Sequence, residues 1–276
     1  MFFDTHCHTY LSKMKSEAEI LDEIKAKWNF YIANIWVDLK ISQHCIDIAQ
    51  KYDFAYATVW IHPCDIWQYD DLDDTMIKLE ELANNKKVVA VWECGLDYYW
   101  IARNEQWEIL DITQKQLEDK KTIQKKWFIA QIELARKLNL PVIIHNREAW
   151  NDIIDILKEV NYTNFILHCY SENLEYANNL LQFAPNCKIS FSGILTFNSA
   201  KSIQEAAKNI PLENILIETD APYLTPTPFR WQENYPYYVE NVFNKLCDLR
   251  DESFDEIEKV VWENSLEVYG IKKAKN

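Results

Sequence analysis

Of the six histidines in this chain, five (His6, His8, His62, His145 and His168) stand at or near the ends of short apolar runs. Only His44 lies in a stretch with helical spacing. Histidines scattered without purpose would fall mostly in helices and loops, so this placement points to one shared site. His6 and His8, in DTHCH, are two residues apart, and on a strand both side chains leave by the same face. Two imidazoles converging on one point are natural metal ligands, although HxH alone fits hydrogen-bonded core histidines equally well. Asp4 is in phase with them, one step deeper, and could orient an imidazole from behind; Cys7 faces the other way, into packing.

Two carboxylates join the histidines. Glu93 interrupts the apolar run VVAVWECGLDYY, where a buried carboxylate is costly unless a cation or several donors compensate it. A salt bridge to a neighbouring Lys or Arg is the plainer alternative to a bridging metal ligand. Asp220 closes ILIETDAP with Glu218 in phase behind it, although an Asp before Ala-Pro also suits a turn or cap. His145 ends the run PVIIH, and Arg147, in phase with it, could fork onto a phosphate or carboxylate or pair with Glu148. His168 closes FILHCY, and His62 precedes the strand-stopping Pro63. Four imidazoles and two carboxylates, with His62 as a fifth imidazole, exceed what one tetrahedral zinc takes. They suit two divalent ions sharing a carboxylate. The mixed nitrogen and oxygen donors leave the metal open among Zn, Mn, Mg, Fe and Ni. Two such ions, roughly 3.5–4 Å apart, can activate a water and clamp a phosphodiester as charge develops on it.

These side chains meet if the apolar runs are parallel strands of one (β/α)8 TIM-type barrel, whose C-terminal strand ends open on one face. The strand candidates are Phe2–His8, Phe30–Asp38, Ala55–His62, Val88–Asp97, Pro141–Asn146, Phe165–Cys169, Lys188–Ser192 and Ile215–Asp220. Helical spacing appears between them at Ile20, Ile24 and Trp28, at Trp150, Ile153, Ile154 and Leu157, and at Ile203, Ala206, Ala207 and Ile210. Each set makes an apolar stripe fit for the outside of a barrel. The polar stretch around 100–122 reads as an extended loop leading into a helix over Ile123–Leu138, either a lid on the active face or a solvated insertion. Gly95 and Gly193, two of only three glycines, are expected where strand ends bend. C-terminal helices over 237–270 follow a proline-punctuated loop, and no linker composition divides residues 1–276 into a second domain.

The 276 residues are 48% hydrophobic and 14% aromatic, enough for one large core and against a disordered chain. No run approaches the roughly 18 apolar residues of a membrane span. The start MFFDTHCH has no basic leader, and seven cysteines without a CxxC read as reduced thiols, so a cytoplasmic location is expected. A net charge of −14 argues against a broad basic nucleic-acid face. It does not argue against cutting nucleic acid where bound cations supply the positive charge locally.

The segments DTHCH at 4–8, IHP at 61–63, WECGLDYY at 92–99, PVIIHNREA at 141–149, LHCYS at 167–171, FSGILTF at 191–197 and ETDAPYL at 218–224 resemble the TatD family of metal-dependent deoxyribonucleases, within the amidohydrolase-like superfamily. The resemblance runs from the first residues to the C-terminal helices. It implies a (β/α)-barrel with two divalent metal ions per chain and DNA as a transiently bound substrate. It implies no membrane and no obligate protein partner. Position by position, His6 and His8 would bind the first ion with Asp220, and Glu93 would bridge to a second held by His145 and His168. Asp220 would also orient or deprotonate the attacking water, with Glu93 as the other catalytic carboxylate. His62 and Arg147 would face the scissile phosphate as substrate-binding groups. Departures touch the rim. Trp92 and Cys94 flank Glu93 where the family has Gly and Ile, Glu172 replaces a Gly, and Trp231 and Tyr235 replace Gly and Glu.

Tyr98, Tyr99, Trp100 and Tyr223 could stack unpaired bases near the mouth, or simply pack the barrel. Two rival functions share these residues. One is hydrolysis of another bond by the same ions: an aminoacyl-tRNA ester, an amide or a small phosphoester. The other is a non-catalytic metal-binding scaffold, which leaves Glu93 and Asp220 in apolar strands without a reason.

Overall fold

The structure is a computed structural model that describes residues 1–27, 29–35, 39–103 and 108–272. Eight strands form one parallel sheet in chain order: β1 (Phe2–Cys7), β2 (Phe30–Asn34), β3 (Ala55–Val59), β4 (Val88–Asp97), β5 (Val142–Arg147), β6 (Phe165–Leu167), β7 (Lys188–Phe191) and β8 (Ile215–Ile217). The intervening helices are α1 (Glu17–Lys25), α2 (Leu39–Lys51), α3 (Leu72–Ala83), α4 (Gln114–Leu138), α5 (Trp150–Glu159), α6 (Leu174–Phe183) and α7 (Lys201–Asn209), with α8 (Val239–Leu249) and α9 (Phe254–Val268) after β8. No helix among the described residues is long and apolar enough to cross a membrane.

The predicted stripes face inward. Ile20 and Ile24 of α1, Ile153, Ile154 and Leu157 of α5, and Ile203, Ala206 and Ala207 of α7 are all buried between helix and sheet. Trp28, Trp107 and residues 36–38 of the second strand candidate lie outside the described residues. A second apolar cluster, with Phe3, Ala33, Ala90, Ile143, Ile166 and Leu216 from alternate strand positions, fills the inside of the barrel. Helix α9 closes that end with Trp262, Leu266 and Tyr269, whose hydroxyl donates to the Thr5 carbonyl at 3.0 Å.

The sheet closes into a barrel where β8 meets β1. Across that seam an isolated parallel bridge pairs Cys7 with Ala221, Asp220 N–H donates to His6 O at 2.9 Å and His8 N–H to Ala221 O at 2.8 Å. One layer deeper, Asp4 accepts from the Thr219 N–H at 2.8 Å and the Thr219 hydroxyl at 2.5 Å, and also from His6 N–H. Asp4 therefore ties two backbones together, where the sequence suggested that it could stand behind an imidazole.

Two other expectations change. The extended loop around 100–122 ends early, because α4 begins at Gln114. Thr113 and Gln116 form a reciprocal capping box there, but the first turns are solvated and charged, so no apolar stripe marked them. The strands also stop short: β3 ends at Val59, β6 at Leu167 and β8 at Ile217, leaving His62, His168 and Asp220 just beyond the ladder. Gly95, expected at a bend, lies within β4 at a close approach of two backbones. An alanine Cβ there would stand 2.1 Å from His145 O, on a φ of +148°. Gly95→Ala should therefore lower stability in urea by about 2–4 kcal/mol. Unfolding at the wild-type urea concentration would show that this backbone can yield.

Candidate metal centre

Left-handed backbone turns the acidic groups toward the mouth of the barrel. The β4–β5 register shifts between Val91 and Cys94, a bulge centred on Glu93, whose φ is +43°. Cys169, beside His168, has φ +46°, and Asp220 has φ +57°. Each such conformation costs a non-glycine residue roughly 1–2 kcal/mol and persists only where the surroundings enforce it. Helix α4 braces the rim: Gln131 pairs with both the N–H and the C=O of Ile61, and Gln124 does the same at Asp97 while also reaching Pro63 O.

All five predicted rim histidines, both carboxylates and Arg147 come to this one end of the barrel. His6 Nε2 lies 2.9 Å from His8 Nε2 and 3.1 Å from Asp220 Oδ1, and His8 Nε2 lies 3.7 Å from the same oxygen. Glu93 Oε1 lies 3.2 Å from His168 Nε2 and 3.7 Å from His145 Nδ1. The His6 and His168 rings stack with centroids 4.1 Å apart, which joins the two groups. Donor atoms of His6, His8 and Glu93, of His6, His168 and Asp220, and of His62, Glu93 and His145 each fall within 4.8 Å of one another.

The outer nitrogen of three imidazoles is pinned by an acceptor. His8 Nδ1–H donates to Ile35 O at 3.0 Å, His168 Nδ1–H to Glu218 Oε1 at 2.9 Å, and His145 Nε2–H to Asp97 Oδ2 at 3.0 Å. In the neutral rings the inner nitrogens then carry lone pairs, and these lone pairs face Glu93 and Asp220. Lone pairs facing carboxylates repel unless protons or cations lie between them, and this donor set fits divalent ions of the type expected. His62 differs. Its Nδ1 accepts from Cys64 N–H at 3.1 Å, so the neutral ring keeps its proton on Nε2 as a donor.

Sequence reasoning missed the positioning carboxylate Asp97 and the service of Glu218, which also caps Cys169 N–H at 2.8 Å. Both are at most 1% exposed. The available signal was an acidic residue in phase with Glu93 at a strand end, and another in phase with Asp220.

Charge follows the geometry. Burial opposes ionisation of Glu93, yet hydrogen bonds from His145 and His168 hold its carboxyl well below the usual range. Burial likewise opposes Asp220, which His6 and His8 keep ionised. Burial disfavours a charged His168, but Glu218 and Glu93 raise it well above an ordinary histidine, and Asp97 and Glu93 raise His145. Burial and the neighbouring His145 push His62 down to about 4, so it is neutral at pH 7.

A profile of the TatD-related DNase family matches residues 3–270. The chain belongs to the TatD family. It is 35% identical over 274 residues to an uncharacterized metal-dependent hydrolase, YabD, of Bacillus subtilis (strain 168), covering 98% of this chain and 100% of that one. It is 32% identical to YcfH of Escherichia coli (strain K12), another uncharacterized metal-dependent hydrolase, over 97% and 95% of the two chains. The crystal structure of YJJV, a TatD homolog of Escherichia coli K12, superposes with a TM-score of 0.83 at 25% identity, covering 98% of both chains. A TatD-family hydrolase from Entamoeba histolytica shares the fold with a TM-score of 0.75 at 22% identity, again over 98% of both chains. The protein is thus a metal-dependent hydrolase of the TatD family on a (β/α)8 barrel.

In this TatD-family barrel the raised histidines set a pH dependence. Their folded-state values exceed the unfolded one near 6.5, so their contribution is full below about pH 6.5 and is lost as pH rises through the folded values. In EDTA the melting temperature should fall between pH 6.5 and 9, and the fall should be smaller for Glu218→Gln. A metal-free protein whose melting is indifferent to pH over that range would contradict the protonated pair.

Proposed function

We propose that this hydrolase is a deoxyribonuclease that cleaves DNA phosphodiesters with two divalent ions per chain. His6, His8 and Asp220 would hold one ion, His145 and His168 the other, and Glu93 would reach both. Bound there, the ions would supply the positive charge that makes a water acidic and offsets charge on the phosphate. Asp220 is ionised and its side chain is 16% exposed, so water reaches it. Its carboxylate orients the attacking water and takes its proton.

The observation that favours a phosphodiester is the pair of groups beside this donor set. His62 offers a neutral imidazole N–H, and Arg147 is a guanidinium with no ion-pair partner among the described residues. An uncharged amide or ester would give Arg147 nothing to neutralise, whereas a phosphate takes both donors. Tyr223, 55% exposed and edge-on to His8 at 6.5 Å, offers a face for an unpaired base. All seven cysteines are free thiols, and we place the activity in the cytoplasm on that account.

Glu93→Gln and Asp220→Asn should each reduce cleavage of an end-labelled oligodeoxynucleotide about 100-fold or more. EDTA should abolish cleavage, and Mg, Mn or Zn should restore it. Full activity in both variants would identify a contaminating nuclease and end the proposal. Hydrolysis of p-nitrophenyl esters or amides without cleavage of DNA would reassign the bond.

A further inference from the structure

Tyr99 does not present a face for bases. The guanidinium carbon of Arg103 lies 3.7 Å from its ring centroid and that of Arg147 3.9 Å. Two guanidinium carbons that close to one centroid cannot share a face, so the ring is held between them. The stack is anchored from both sides. Arg103 Nη1 donates to Tyr99 O at 2.6 Å, Arg103 N–H donates to Trp100 O, and Trp100 N–H donates to Asp97 Oδ1 at 2.8 Å. On the other side Tyr98 N–H donates to Arg147 O at 2.9 Å. Asp97 in turn holds His145, so the stack is built on the backbone that positions the metal centre.

Neither guanidinium has a carboxylate partner among the described residues, in a chain with 43 acidic and 29 basic residues. Other cations here do find one: Arg250 pairs with Glu252 at 2.6 Å, Arg136 with Glu133 at 3.1 Å and Lys125 with Asp152 at 2.8 Å. Two like charges brought to one ring repel each other. Stacking on an aromatic face offsets part of that, and an anion on each planar fork offsets more. Arg147 already serves the phosphate under attack in the reading above. Arg103 comes from the segment after β4, which sets it further along the rim.

We propose that the Arg103–Tyr99–Arg147 stack spans two backbone phosphates, with Arg147 at the one being cleaved and Arg103 as the anion subsite for the next. It rests on the nuclease reading and deepens it: the preferred substrate is a polynucleotide strand rather than a small phosphoester. Arg103 fixes that preference, and Tyr99 serves as the spacer that keeps the two forks apart.

The test compares decathymidine with a single diester, thymidine 5′-(p-nitrophenyl phosphate), in wild type, Arg103→Gln and Arg103→Lys. The ratio of kcat/KM for decathymidine over the diester should fall about tenfold or more in Arg103→Gln. The lysine variant, which keeps the charge but not the planar fork, should fall between. The salt dependence of decathymidine binding should lose about 0.7 from its log–log slope. An unchanged ratio, whether both activities hold or both fall together, would overturn the subsite. If the wild type cleaves neither substrate with any divalent ion, the nuclease reading fails by itself. Equilibrium binding of labelled decathymidine to the EDTA-treated protein then decides: tenfold weaker binding by Arg103→Gln supports the subsite, and equal binding overturns it.

Discussion

The arrangement depends on one electrostatic conflict at the mouth of the barrel. Imidazole nitrogens whose protons are committed outward turn their lone pairs toward two carboxylates. His8, His168 and His145 are locked in that sense by Ile35 O, Glu218 and Asp97. Without a cation, protons relieve it, and the carboxylates on both sides of the rings, Glu218 and Glu93 at His168 and Asp97 and Glu93 at His145, raise both histidines against the opposing effect of burial. A divalent ion relieves the same conflict with the charge concentrated at one point, and it must displace those protons to do so. Metal affinity and proton affinity are two responses to a single field.

Holding that field open requires backbone that ordinary strands do not provide. Glu93 reaches the cluster because a bulge in β4 re-aims it, and Asp220 because its left-handed turn follows the seam at which β8 meets β1. The seam hydrogen bonds run through the candidate ligands, joining Asp220 to His6 and His8 to Ala221, the residue after Asp220. Closure of the barrel and assembly of half the centre are thus the same event. The Asp4–Thr219 contacts beneath fix its depth, and the buried glutamines of α4 fix the opposite rim.

Sequence reading recovered the barrel, the converging histidines and the two carboxylates because each leaves a local mark: an imidazole ending an apolar run, or a carboxylate interrupting one. It did not recover what depends on partners distant in the chain. Asp97 stands 48 residues from the histidine it holds and Glu218 stands 50 from His168. The Asp4–Thr219 contact was not legible because period-two phasing sees its own strand only, and Thr219 lies 215 residues away. The start of α4 was hidden for a different reason. Its first turns are stabilised by a cap and by solvation, and neither produces hydrophobic periodicity.

A net charge of −14 and the anionic substrate proposed for this site are reconciled by range. Exposed surface charges are screened over about 8–10 Å at physiological salt, so the acidic helices on the outside act weakly at the mouth. What a phosphate would meet there is local: any ions the donor cluster holds, a neutral imidazole donor and guanidinium groups with no carboxylate partner among the described residues. The histidines divide their duties by the partner behind each ring. An acceptor behind the ring aims a lone pair inward and suits a cation. The Cys64 N–H behind His62 aims a proton outward and suits an oxygen of the substrate. The proposed ligand and substrate-binding roles therefore follow from the second hydrogen bond of each imidazole, not from its distance to the centre alone.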